Sequence, residues 1–162
     1  MKAKHFFLAM VAPVLVAGPV WANTCLRADE RTAVEARALR SYLMVTALNC
    51  QKQSNYNDFV RRHMSDLNAA DRVVDGYFRR AHGGAGRTRL DQYNTLLAND
   101  HSQDGTRAGS FFCRDADPLF QQVMALQPGQ LSKFSAERNV MQSLEAPDCP
   151  AAPPPRSAAA RR

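Results

Sequence analysis

Apolar positions recur at three- and four-residue steps along most of this chain and nowhere alternate over a strand-length run, which is the pattern of helices packed by one face rather than of a sheet. The first such segment spans Leu26 to Asn49. It carries two adjacent rows, Leu39, Leu43, Ala47, Cys50 and Val34, Ala38, Tyr42, Val45, with Glu35, Arg37 and Arg40 outside the stripe. Ala, Leu, Arg and Glu dominate it and neither Gly nor Pro interrupts it, so one long helix is expected. Ser54 predicts the cap of a second helix from Asn55, with Tyr56, Phe59, Val60 and His63 on one side. A break near Ser65-Asp66 leads to a third stretch through Leu67, Ala70, Val73 or Val74, Tyr77, Phe78 and Ala81, stopped by Gly83-Gly84.

Beyond that loop, Thr88 predicts a cap for a helix bearing Leu90, Tyr93, Leu96 and Leu97. Gly105 and Gly109 weaken the next stretch, from which Phe111, Phe112 and Cys113 are expected to reach the core. Asp117-Pro118 reads as a helix start, Asp as cap and Pro at the first helical position, continuing until Pro128-Gly129. Ser132 predicts the cap of a last helix around Phe134 to Met141. The expected fold is all-α: one domain of five or six helices over residues 23–149.

The two ends read differently. Met1 to His5 is short and basic, Phe6 to Val16 is apolar, and Val20-Trp21-Ala22 offers a cleavage site, so residues 1–22 are expected to be a secretory signal cut after Ala22. Its apolar core of roughly 11 residues is too short to span a bilayer, and no later stretch is long and apolar enough. Asn23-Thr24 before Cys25 does not suit a lipoprotein signal. From Pro150 the chain is a Pro/Ala/Arg tail expected to be disordered. The expectation is a periplasmic or secreted protein.

Export changes the reading of the four cysteines, Cys25, Cys50, Cys113 and Cys149. In an oxidising compartment an even count implies two disulfides, and no C-x-x-C spacing suggests a metal or redox pair. A helix filling the interval between Cys25 and Cys50 holds its ends ~30 Å or more apart, whereas a disulfide needs its α-carbons within about 4.4–6.8 Å. That excludes Cys25–Cys50. Of the two remaining connectivities, Cys50–Cys113 with Cys25–Cys149 is preferred, because it ties the last ordered residue to the first.

Charge alters the picture less than it first suggests. Of the formal +6, Lys2, Lys4, Arg156, Arg161 and Arg162 belong to the ends, so the body carries about +1. A near-neutral body with only Arg61-Arg62 and Arg79-Arg80 as tight pairs argues against a nucleic-acid partner.

The run Arg31 to Cys50, the Phe59-Val60-Arg61-Arg62 stretch, Phe78 to Gly83, and Leu97-Ala98-Asn99-Asp100 with Ser102 to Gly105 together resemble a family of uncharacterised exported bacterial proteins. The resemblance covers the whole body, fits the four-cysteine layout, and implies a helical fold without implying an activity.

Two polar clusters are candidate chemistry. Asp100 and Asp104 are four apart and share a helix face, where with a third ligand they could hold a hard cation, or a carboxylate could orient His101 as a general base. The bland alternative is a helix end exposed to water. His82-Gly83-Gly84-Ala85-Gly86 with Arg87 and Arg89 could cradle an anion on backbone amides, or simply connect two helices. His63 reads as a packed side chain. No cofactor motif is present. The leading expectation is a non-enzymatic binding, inhibitory or accessory protein acting on a protein or envelope component. Its alternatives are a small hydrolase using Asp100, His101 and Asp104, and an envelope stress or chaperone-like protein.

Overall fold

The computed structural model describes residues 24–150; the expected signal and the tail from Ala151 on lie outside them. Seven α-helices follow one another: α1 (Ala28–Asn49), α2 (Gln53–Arg62), α3 (Met64–His82), α4 (Gly86–Ala108), α5 (Ser110–Arg114), α6 (Ala116–Ala125) and α7 (Leu131–Glu137). Six have seven residues or more, and α5 is a five-residue turn. No strand occurs among the described residues, only an isolated parallel bridge between Leu26 and Asp148. The fold is all-α.

The architecture follows from α1. From Glu30 to Ala47 only Thr32 is exposed, because apolar residues lie on nearly every side of this helix rather than along one stripe. A helix apolar all round must be surrounded, and every other helix packs against it. Its alanines, Ala33, Ala36, Ala38 and Ala47, are buried and let neighbours come close. Leu39, Leu43, Phe59, Val74, Phe120 and Val123 fill the space between at full burial. Glu30, also buried, is held by the Arg27 amide at 2.8 Å and by two bonds from the Arg80 guanidinium at 3.0 and 2.6 Å. A carboxylate is tolerated there because it is fully paired.

Helix limits depart from the sequence expectations in definite ways. Ser54 lies inside α2, whose cap is Lys52. The break before α3 falls at His63, not Ser65-Asp66. There His63 is buried, its Nε2 is 3.0 Å from the Val123 carbonyl, and it acts as a packed strut. Helix α4 starts at Gly86 instead of after Thr88, because the short 3₁₀ turn Gly83–Ala85 feeds straight into it. Helix α6 is capped at Asp115, which leaves Asp117 and Pro118 within its first turn, where a missing amide hydrogen costs nothing. Helix α7 begins at Leu131 after Gln130 and ends at Glu137, short of Met141. Phe112 is buried as expected, but Cys113 is exposed and Phe111 is 60% exposed, its ring capped by the Arg114 guanidinium at 4.6 Å.

After α7 the chain runs without regular structure to Cys149 and lies across the bundle as a strap. Cys25–Cys149 and Cys50–Cys113 are the two disulfides, with α-carbons 4.9 and 5.2 Å apart. The first locks the strap beside the start of α1, where the Leu26 amide donates to the Pro147 carbonyl at 2.8 Å and the Cys149 amide to the Leu26 carbonyl at 2.7 Å.

Candidate functional site

The residues singled out as possible catalysts are distributed by α4, which runs on through the whole Asn99 to Asp104 stretch. The cluster is therefore mid-helix and is not a helix end in water. The buried positions of α4 are Gly86, Tyr93, Leu97, His101 and Gly105; from Tyr93 on they come at four-residue steps, so His101 belongs to the inner stripe. It is fully buried. Its Nε2 lies 2.9 Å from the Met141 carbonyl and its Nδ1 lies 3.1 Å from the Ser41 hydroxyl. A carbonyl can only accept, so Nε2 carries the proton, Nδ1 accepts, and Ser41 donates. Burial holds the imidazole pKa below its ordinary value, partly offset by the Met141 carbonyl and by Asp104 and Asp100. His101 is thus neutral and clasps α1 to the strap. Asp104 is turned to the surface and pairs with Arg107 at 2.5 Å, while Asp100 is half-buried. Among the described residues no group of three or more His, Cys, Asp or Glu is placed to hold a metal.

The glycine cluster joins α3 to α4. Gly83 adopts φ 53° and stops α3. Gly86 sits where a Cβ would lie 2.7 Å from the Phe78 carbonyl, so its lack of a side chain lets α4 cross α3 closely. Gly84 and Arg87 are exposed.

Other polar residues fasten the strap. Arg31 donates to Asp148 at 2.8 Å, to Gln142 at 3.0 Å and to the Ala146 carbonyl at 2.9 Å. Gln142 in turn donates to Glu35. Burial pushes the Glu35 carboxyl above its ordinary range, with the Ser135 hydroxyl, Arg31 and Gln142 opposing the shift. Asn139 and Ser143 in the strap take φ 51°, a conformation that non-glycine residues adopt at a cost.

Two clefts flank the strap. The larger, about 540 Å³, lies between Tyr42, Asp104, Arg107, Phe112 and Arg138. Its Arg107 is paired with Asp104, and Arg138 bonds Gln122. The other, about 400 Å³, opens between α3, α4 and the strap, with Tyr77, Phe78, His82, Tyr93, Leu96 and Ser143 among its walls. Phe78 is 3% exposed and centres a packed aromatic cluster: the His82 and Tyr93 rings lie 5.8 and 5.4 Å from it, tilted by 30° and 33°, and Tyr77 meets it edge-on at 5.2 Å. Two wall residues carry unspent polarity. The Tyr93 and Ser143 hydroxyls are buried and have no hydrogen-bond partner among the described residues. Burial raises the Tyr93 pKa strongly, so its hydroxyl stays protonated. An orphaned buried hydroxyl costs about 1–3 kcal/mol, and such groups are rare enough to call for a partner. The sequence pattern places Tyr93 only on a helix face and does not single out Ser143; neither hydroxyl's isolation has a signature in one dimension.

No protein-family model, no curated protein and no solved structure matches this chain.

Proposed function

We propose that this chain is an exported, non-enzymatic binding protein of the periplasm or cell exterior, and that its ligand seat is the aromatic cleft between α3, α4 and the strap. The observation that carries the reading is the cleft itself, about 400 Å³, whose lining brings Tyr77, Phe78, His82 and Tyr93 beside the half-exposed Leu96. An apolar cleft with a few convergent polar groups is the usual form of a small-molecule site. The two disulfides support an oxidising compartment. Among the described residues no helix is long and apolar enough to cross a membrane.

The hydrolase alternative would require His101 to act as a base while both its ring nitrogens are committed, Nε2 to Met141 and Nδ1 to Ser41. The binding reading asks for no such rearrangement.

The test is an amide-shift screen of the oxidised domain with single-ring and two-ring aromatic fragments. Saturable shifts at Tyr77, Phe78, Tyr93 and Ser143 are expected. Leu96, half-exposed on the cleft wall, can be changed without touching the core, so Leu96→Glu should weaken binding at least about tenfold, the worth of a buried apolar contact. Shifts confined to other surfaces would overturn the proposal.

A further inference from the structure

We propose that the apolar groove between α1, α3 and the turn before α7 is the docking surface of the chain's own Pro/Ala/Arg segment, residues 151–162, with proline rings on its floor and arginines at its acidic rim. The groove encloses about 240 Å³ on a side of the bundle away from the aromatic cleft. Ala33, Ala36, Ala70 and Leu131 floor it, and the exposed Ala69 and half-buried Val73 form its wall.

The point where the chain leaves the fold selects this occupant. Leu26 and Asp148 form a parallel bridge, and Cys25–Cys149 fixes the two stretches side by side. Parallel stretches run the same way, so the chain past Cys149 heads as Leu26 does, toward Arg27 and the first turn of α1. There Asp29 opens the groove. From Asp29 to Ala36 the groove follows α1 for about 10 Å at ~1.5 Å per residue. Pro153 to Pro155 stand four to six residues past Cys149. An extended proline-rich chain rises ~3.1 Å per residue, so they reach ~12–19 Å, enough to lie over that span.

Composition and charge agree with the placement. Alanine and proline make up eight of residues 151–162, small and flat enough for a narrow trough floored by alanine methyls. Such a segment builds no core of its own, but proline has little conformational freedom to lose on a preformed groove. Among the described residues the charged lining is Asp29 and Asp66 alone, while the segment carries Arg156, Arg161 and Arg162 and no acid. The Cys25–Cys149 bridge tethers it beside the groove, so a contact too weak between separate molecules is populated within one.

The experiment compares amide signals of the oxidised chain from Asn23 to Arg162 with those of the same chain stopped at Pro150. Differences at Thr32, Ala33, Ala36, Ala69 and Val73 are expected, unchanged on roughly tenfold dilution, as an intramolecular contact requires. Pro154→Ser and Arg156→Glu, both outside the folded body, should each move these signals toward those of the shortened chain. Identical groove signals in the two chains would overturn the proposal, as would variants that leave the signals where they are. Differences that fade on dilution would overturn it in favour of a second copy of the chain.

Discussion

A single imidazole shows how much a side chain's meaning depends on where a helix carries it. His101 beside two aspartates invites a catalytic reading, yet the four-residue steps from Tyr93 through Leu97 lead to His101 and then to Gly105, all buried. Continuing the stripe past Leu97 locates it; reading the polar run by composition conceals it. The consequence is a pH dependence with a definite sign. His101 has a folded pKa below its ordinary 6.5, so its contribution is complete above that value. It is lost as pH falls toward the lowered folded pKa, because the unfolded chain takes up a proton that the folded one refuses. Glu35 works in the opposite sense. Its pKa is raised above 4.5, so folding gains as acid protonates it and loses as pH rises through the raised value. Unfolding midpoints measured from about pH 7.5 down to 5 should therefore combine a His101 part that falls toward acid with a Glu35 part that rises. His101→Gln should be less stable at neutral pH, by about 1–3 kcal/mol for the disturbed bonds, but should lose less stability toward acid than the native protein. Equal slopes for the two proteins would remove His101 from the account.

Elements were legible in proportion to how local their causes are. The inner rows of α1 and α3 were readable because periodicity survives whatever packs against it. The ends of α1 at Asn49 and of α3 at Gly83 were readable too, but several starts were not, since Ser54, Thr88 and Ser132 each have cap chemistry yet lie inside helices whose starts are set by tertiary fit. The start of α4 is the clearest case. At its first residue, Gly86, the backbone passes so close to α3 that a Cβ would lie 2.7 Å from the Phe78 carbonyl, and a residue on α3 cannot be seen from the local sequence around Gly86. Gly86→Ala should therefore destabilise by about 1–3 kcal/mol, the scale of overpacking a tight contact, even though alanine is the better helix former. Denaturant unfolding checks this. A neutral or stabilising result would mean that the α3–α4 crossing relaxes freely. Gly84, with nothing within 4 Å of its Cβ position, is the matched control.

For the molecule as a whole, the disulfide layout was the most legible feature, because one rigid helix is enough to forbid Cys25–Cys50. The strap was not legible, since it depends on Arg31, Glu35 and His101 reaching residues more than a hundred, or at least forty, positions away. Nor was the aromatic cleft, which exists only where α3, α4 and the strap meet. The two bridges differ in access. Cys113 is exposed and Cys50 half-buried, whereas Cys149 is half-buried and Cys25 only 6% exposed. Thiol attack needs access to a sulfur, so graded dithiothreitol followed by alkylation should label Cys50 and Cys113 first, leaving the strap bridge closed. Simultaneous labelling of all four would contradict that ordering. Opening Cys25–Cys149, which closes a sequence separation of 124, should cost up to about 5 kcal/mol on the chain-entropy view.

Non-reducing peptide mapping of the protein recovered from the cell envelope tests most directly whether this is an exported domain whose chain ends are bolted together. The expected result is a first residue of Asn23, no Trp21, and cross-linked peptides joining Cys25 to Cys149 and Cys50 to Cys113. Four free thiols, or a peptide joining Cys25 to Cys50, would contradict it.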